Sequence, residues 1–152
     1  MSSTIRADHV GSLLRPAELL RARTEHIAPS ELEAIEDRHI LRVLQRQKEI
    51  GLDVFTDGEL RRTNFMSDFT DAVEGFDFGD AVPRKWEDAD ERVQHSAATV
   101  SSINGIVSSA LKQRQRLTGR ELPFLREHAP GLIKITLPSA TQFPLLNSDL
   151  NV

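Results

Sequence analysis

The chain has 152 residues, enough for one domain with a core, and its 23 acidic and 19 basic side chains give a net charge of −4. Proteins that bind the phosphate backbone of nucleic acids usually carry an excess of positive charge, so we do not expect a nucleic acid as partner. No apolar run approaches the length of a membrane span, so we do not expect a membrane either. There is no cysteine, which excludes disulfides and thiolate metal ligands within the chain, and we expect a cytoplasmic location.

The first motif, RADHVGSLLRP at residues 6–16, predicts a strand that runs into a helix. Residues 4–10 form the predicted strand, and Gly11-Ser12 ends it. Pro16 suits the first turn of a helix, where its missing N–H is not needed. The following residues, 17–27, are rich in Leu, Ala, Glu and Arg and predict that helix.

A second helix followed by a strand is predicted over residues 30–56. Ser30 and Glu33 have the spacing of a capping box, and apolar residues recur behind them at helical spacing. Gly51 stands where a helix commonly ends in the left-handed conformation, and residues 52–56 predict a short strand. A helix, a glycine and a strand in succession favour a parallel sheet.

The remainder of the chain has a weaker pattern. Four apolar residues between positions 65 and 76 predict a helix that ends near Gly75, and a polar excursion covers about residues 80–96. Strands are predicted at 98–103 and 132–137, with a short helix at 121–128 between them. This order of elements is typical of an α/β fold.

Three of the predicted strands end on polar or turn-forming residues: Gly11-Ser12, Asp57-Gly58-Glu59 and Pro138-Ser139. Ligands bind beyond the carboxyl ends of strands in parallel α/β folds, so we expect these ends to meet at one face. The alternative is a capping serine and an ordinary surface turn. We expect Arg61-Arg62, which follow directly, on a solvated face.

The motifs RADHVGSLLRP, GLDVFTDGELRRTNFM and IKITLPSATQF together resemble the methionine synthase II family. This family is related to the catalytic C-terminal barrel of cobalamin-independent methionine synthase, within the uroporphyrinogen decarboxylase-like barrels. The resemblance implies the N-terminal half of a (β/α)8 TIM barrel, with residues 1–152 as one partial domain that stops after its fourth strand. A complete barrel needs about 250 residues.

The resemblance also implies an activity, that of a 5-methyltetrahydropteroyltriglutamate–homocysteine S-methyltransferase in methionine biosynthesis. Such an enzyme moves a methyl group from methyltetrahydrofolate to the sulfur of homocysteine, and zinc holds that sulfur as a thiolate. The zinc ligands of the family, a His, a Glu and two Cys, lie on later strands. The resemblance therefore implies no metal site in this chain and no methyl transfer by it alone.

The residues that match the family's motifs bind the amino-acid end of the substrate. Val10-Gly11-Ser12 matches the Ile-Gly-Ser whose backbone and hydroxyl hold the homocysteine carboxylate, and amides near a helix start favour an anion. Glu59 matches the Glu that pairs with the substrate ammonium. His9 and Asp57 differ from the residues of methionine synthase itself, and we expect them to contact the substrate.

Two other functions remain open at this point. A non-catalytic module that binds an amino acid or a partner would keep the same residues. Another enzyme of the decarboxylase-like superfamily would bind substrate carboxylates with Arg and Asp, and the Gly-Ser and Gly-Glu pairs argue against it. Because the edges of a half-barrel are open, we expect a homo-oligomer or association with a missing C-terminal half.

Overall fold

The computed structural model describes residues 8–64, 67–77 and 106–139. In chain order the elements are α1 (Ala17–Thr24), α2 (Pro29–Glu49), β1 (Val54–Phe55), α3 (Ser67–Ala72), β2 (Val73–Asp77), β3 (Ile106–Gln113), α4 (Glu121–His128) and β4 (Leu132–Ile133). None of the helices in these ranges is both long and apolar enough to cross a bilayer. The polar excursion and the strand predicted at 98–103 lie outside the described residues.

The described residues fall into two compact units. Unit 1 takes its residues from Met1–Phe65 and Thr118–Leu137, and unit 2 takes its residues from Met66–Leu117 and Pro138–Val152. Unit 1 therefore contains α1, α2, β1, α4 and β4, and unit 2 contains α3, β2 and β3.

The start of α2 differs from the predicted capping box. The N-cap residue is Ala28, Pro29 occupies the first helical turn, and no side chain caps the helix. Proline is favoured at the first helical position because its fixed φ suits the helix and its missing N–H leaves no donor unsatisfied. Pro29 therefore begins the helix before Ser30, and Ser30 lies inside the helix where it cannot act as the cap.

The end of α2 confirms the prediction for Gly51. This residue has a φ of +80°, its N–H donates to the carbonyl of Lys48 at 3.0 Å, and the N–H of Leu52 donates to the carbonyl of Gln47 at 3.0 Å. This pair of bonds is the Schellman arrangement, which satisfies the last carbonyls of a helix. The chain thereby turns out of α2 directly towards β1.

The sheet of unit 1 is parallel, as predicted. Asp8 pairs with Val54 in a parallel bridge, and β1 pairs with β4 in parallel register, with Val54 opposite Leu132. No strand intervenes between β1 and β4. The sequence predicts β4 as the fourth strand, and among the described residues it is the third parallel segment, beside Asp8 and β1.

One side of this sheet carries the apolar core of unit 1. The buried cluster joins the three helices to β1 and to the turn that follows it, through Leu19, Ile40, Leu44, Phe55, Leu60 and Leu125. Each of these side chains is at most 4% exposed, and burying one stabilises the fold by about 2 kcal/mol. This cluster thereby packs the three helices against the sheet.

Gln47 of α2 binds the backbone of Thr56, the residue that directly follows β1. Its Oε1 accepts the N–H of Thr56 at 2.9 Å, and its Nε2 donates to the carbonyl of Thr56 at 2.9 Å. Both groups are buried, and an unpaired backbone group there would cost about 1–3 kcal/mol. The side-chain amide therefore takes the place of a neighbouring strand at this point.

Unit 2 corrects the helix predicted up to Gly75. The helical part ends at Ala72, and β2 follows it and pairs with β3 in antiparallel register. Gly75 has a φ of +108°, which no α-helix contains, and Val73 opposite Gln113 suits a strand because it is β-branched. The antiparallel pair of β2 and β3 was not predicted from the sequence, and β3 lies after the strand predicted at 98–103.

The two arginines after β1 are buried, which contradicts their predicted solvated face. Arg62 Nε and Nη2 donate to the two carboxylate oxygens of Glu121 at 2.7 and 2.8 Å, and both side chains are at most 4% exposed. Arg61 forms ion pairs with Asp37 and with Glu36 of α2. Burial of these cations is possible because each has a carboxylate partner from a helix.

We expect the substitution Glu121→Gln to lower the free energy of unfolding by about 3 kcal/mol, because it leaves the buried charge of Arg62 without its carboxylate. Urea denaturation followed by circular dichroism measures this change. Glu127→Gln on the exposed side of α4 is the matched control and should change the value by less than about 0.5 kcal/mol. Equal losses in the two variants would contradict the assignment of the Arg62–Glu121 pair as a structural support.

Candidate functional site

Two loops meet at the carboxyl ends of neighbouring parallel strands. The first contains Gly11 and Ser12 and follows Asp8, and the second contains Asp57, Gly58 and Glu59 and follows β1. The hydroxyl of Ser12 donates to Oε2 of Glu59 at 2.6 Å. The geometry thus brings together the two side chains expected to bind opposite ends of one ligand. Pro138-Ser139, the third predicted strand end, groups with unit 2.

The carboxylate of Glu59 is presented by a sharp turn. Gly58 and Glu59 both lie in the left-handed region, with φ values of +67° and +57°, and the N–H of Glu59 donates to Oδ1 of Asp57 at 3.0 Å. A left-handed residue with a side chain costs about 1 kcal/mol, so its surroundings must hold it in place. Glu59 is only 4% exposed, and a buried carboxylate of this kind suits a cationic partner.

Gly58 allows the two loops to approach each other. Its carbonyl accepts the N–H of Leu13 at 3.0 Å, and a Cβ on Gly58 would lie 2.7 Å from Cδ1 of Leu13. A larger residue would require the side chain of Leu13 to move and would be strained at the positive φ of Gly58. Glycine therefore allows the close packing of Leu13 on the second loop.

Asp57 is buried beneath the turn, with 6% of its surface exposed. Within the described part of the chain its Oδ2 has no hydrogen-bond partner, while Oδ1 accepts the N–H of Glu59. Burial raises the pKa of Asp57 to about 6, and the negative charge of Glu121 acts in the same direction. The N–H of Glu59 and the charges of Arg62 and Arg61 partly oppose this rise.

The other predicted site residues occupy the first loop. Nδ1 of His9 lies 3.0 Å from Oγ1 of Thr56, which also accepts the N–H of Gly58 at 3.2 Å. Val10 is 82% exposed and Gly11 has a φ of +83°. His9 thus contacts the base of the second loop through Thr56, while Val10 lies open at the surface beside Ser12.

Two residues at the loops had not been singled out from the sequence. Thr56 joins His9 to Gly58, and Arg15 donates three hydrogen bonds to the backbone carbonyls of Glu59 and Arg62. Arg15 stands just before α1, where the helix dipole disfavours a cation. An arginine at this unfavourable position indicates that its side chain has a partner elsewhere in the fold, and this is the signal by which the sequence could have revealed Arg15.

The residues described do not fit a zinc site. In the described ranges no three His, Asp or Glu side chains come together in a group that could hold a metal ion, and the sequence has no cysteine to supply a thiolate. The hydroxyl of Ser12 and the carboxylate of Glu59 are suited to hydrogen bonds with an organic ligand.

We expect the substitution Asp57→Asn to raise stability by an amount that grows with pH. The raised pKa means that the folded chain holds the proton more tightly than the unfolded chain. Stability therefore falls as the pH rises from about 4, where the unfolded chain ionises, and levels off above about 6, where the buried carboxyl has ionised. An asparagine keeps an acceptor for the N–H of Glu59 and does not ionise. The gain should be small near pH 4 and reach up to about 3 kcal/mol above pH 7.

Urea denaturation between pH 4 and pH 7.5 tests this expectation. Asp53→Asn removes one carboxylate at an exposed position close in sequence and serves as the control. A stability difference between Asp57→Asn and the unmodified chain that stays constant with pH would contradict it.

Comparisons with known proteins give the family. Residues 12–140 match the family model described as "Cobalamin-independent synthase, Catalytic domain". Protein YxjH of Bacillus subtilis, described as uncharacterized, is 47% identical over 74 residues, which are 46% of this chain and 20% of YxjH. A 5-methyltetrahydropteroyltriglutamate–homocysteine methyltransferase of a Synechococcus species is 34% identical over 73 residues, 45% of this chain and 10% of that protein.

A solved structure gives the fold. A B12-independent methionine synthase from Shewanella sp. W3-18-1, in complex with selenomethionine, superposes with a TM-score of 0.62 and 20% identity. The superposition covers 83% of this chain and 35% of that chain. The chain thus spans about a fifth or less of the curated relatives named above and about a third of this structure.

The family expected from the three motifs is confirmed by the match, which covers most of the chain and includes Ser12 and the whole of the second loop. This chain belongs to the family of catalytic domains of cobalamin-independent synthases.

Proposed function

We propose that this chain provides the amino-acid-binding part of a methionine synthase-like methyltransferase. The observation that carries the proposal is the 2.6 Å hydrogen bond between Ser12 Oγ and Glu59 Oε2. It joins the hydroxyl of an exposed serine to a buried carboxylate. An α-amino acid presents a carboxylate and an ammonium a few ångströms apart, and these two loops offer a partner for each.

The ammonium end of the ligand belongs to Glu59 in this proposal. The carboxylate is buried, so a charged hydrogen bond to it is weakened little by water. In the structure Ser12 satisfies one oxygen of Glu59, and a bound ammonium would take over this role. The Shewanella synthase holds selenomethionine, an α-amino acid of the class proposed here.

The carboxylate end belongs to the loop at Val10-Gly11-Ser12. Gly11 has a positive φ, which glycine adopts without strain, and without a Cβ its backbone can approach a ligand closely. Ser12 is exposed and its hydroxyl can rotate towards a ligand carboxylate. His9 and Asp57 support the second loop through Thr56 and the N–H of Glu59, and we assign them to the same substrate site.

The reaction proposed for the whole protein is transfer of a methyl group from methyltetrahydrofolate to the sulfur of homocysteine, with zinc supplying the thiolate. Among the described residues no group of His, Asp or Glu side chains could hold that zinc. The proposal therefore assigns binding to this chain and leaves methyl transfer to a complete barrel. A non-catalytic module that binds an amino acid is the alternative, and it uses the same two loops.

We expect the chain to bind L-homocysteine and L-methionine in calorimetric titrations. Glu59→Gln should weaken binding roughly 10- to 100-fold, because a charged hydrogen bond to the ammonium is lost. Glu25→Gln, which removes an exposed carboxylate at the end of α1, should leave the affinity unchanged.

The same samples, supplied with zinc and methyltetrahydrofolate, should form no methionine. Absence of binding by the unmodified chain would refute the proposal. Zinc-dependent formation of methionine would refute the division between binding and transfer.

Association of the chain with a second copy, or with the remaining strands of a barrel, is a further part of the proposal. Leu132 of β4 is 56% exposed although it lies in the sheet, and exposed apolar strands favour pairing with another chain. We expect sedimentation velocity to give a mass above that of one chain. A single monomeric species at micromolar concentration would contradict this.

A further inference from the structure

Arg15 connects the two loops of the site without lying in either. It stands between the Ser12 loop and α1, and its Nε and Nη2 donate to the carbonyl of Arg62 at 3.0 and 2.8 Å. Nη2 also lies 3.4 Å from the carbonyl of Glu59, to which it donates. One guanidinium thus binds both ends of the turn that begins at Glu59 and ends at Arg62.

This turn is the segment whose conformation presents the Glu59 carboxylate. The N–H of Arg62 donates to the carbonyl of Glu59 at 3.1 Å, and Glu59 itself has the costly left-handed φ described above. Such a conformation persists only where several contacts hold it. The three hydrogen bonds from Arg15 go to the carbonyls at the two ends of that turn.

A second arginine binds the same turn for a different purpose. Arg23 of α1 donates to the carbonyls of Arg62 and Leu60, at 2.9 and 2.6 Å, and to the buried carboxylate of Glu36 at 3.0 Å. It therefore ties the turn to the helices. Arg15 instead ties the turn to the loop that carries Ser12.

The charge of Arg15 is also placed near the Glu59 carboxylate. Burial lowers the pKa of Arg15, as does the positive charge of Arg23, while the negative charge of Glu59 raises it. A guanidinium remains protonated under all ordinary conditions, so it is a permanent cation at this position. Its planar fork binds one carbonyl with two N–H groups, which the ammonium of a lysine cannot reproduce with the same geometry.

We propose that Arg15 is a positioning residue of the amino-acid site, which sets the separation between the Ser12 loop and the Glu59 carboxylate. It acts through the carbonyls of Glu59 and Arg62 and does not touch the ligand. The proposal rests on the proposed function for its effect on binding. Its effect on the turn itself stands independently of any ligand.

A double-mutant cycle tests the effect on binding. Arg15→Met should weaken L-methionine binding about tenfold in calorimetry when Glu59 is present, and less than about twofold in the Glu59→Gln background, because the residue acts through that carboxylate. Arg15→Lys should recover part of the affinity. The control Arg21→Met changes an exposed arginine of α1 and should not alter binding. Equal losses in both backgrounds would overturn the positioning role.

Amide hydrogen exchange tests the turn without a ligand. In Arg15→Met and Arg15→Lys the N–H groups of Leu13 and Arg62 should exchange faster, by about tenfold in the methionine variant, while Leu44 in α2 is unchanged. Unchanged exchange at Leu13 and Arg62 would overturn the inference even if amino-acid binding occurs. Failure of the unmodified chain to bind, with faster exchange in the variants, would refute the proposed function and leave Arg15 as the residue that fixes the turn.

Discussion

The backbone carbonyl of Arg62 accepts three N–H groups from two arginines, and the site of unit 1 depends on this point of contact. The same residue sends its side chain to Glu121 in a buried two-pronged ion pair. One residue therefore joins the turn after β1 to Arg15, which follows the first loop, and to α1 and α4. The cost of burying so many charges is offset because each cation meets a carboxylate or a carbonyl, and removal of one partner would expose that cost.

Much of unit 1 could be predicted from the sequence because its signals are local. The periodicity of α2, the glycine at its end and the short strand behind it each need only neighbouring residues. The capping box failed because Pro29 competes for the same helix start, and the helix predicted up to Gly75 failed because β2 is defined by β3, which lies more than 25 residues further along the chain. Pairing at that distance leaves no periodic signal in either segment.

The candidate site shows the same division. Parallel strands predict that their carboxyl ends meet, so the approach of Ser12 and Glu59 followed from chain order alone. The contacts that hold them there did not, since Arg15 meets Arg62, and Arg62 meets Glu121, across separations of 47 and 59 residues. The sequence predicts that Arg61 and Arg62 are exposed, because charged side chains are usually at the surface. Their carboxylate partners, which make burial possible, become visible only in the fold.

The Gln47 side chain has a consequence for how the sheet and α2 are aligned. Its amide meets both backbone groups of Thr56 only when the strand stands at one position along the helix, and a shift of a single residue would leave a donor and an acceptor buried without partners. Gln47 thus fixes the alignment of β1 along α2. If β1 were misaligned with α2, the buried groups of Gln47 and Thr56 would lose their partners and the fold would be destabilised even without a ligand. The position of α2 therefore also fixes where the chain enters the Glu59 turn.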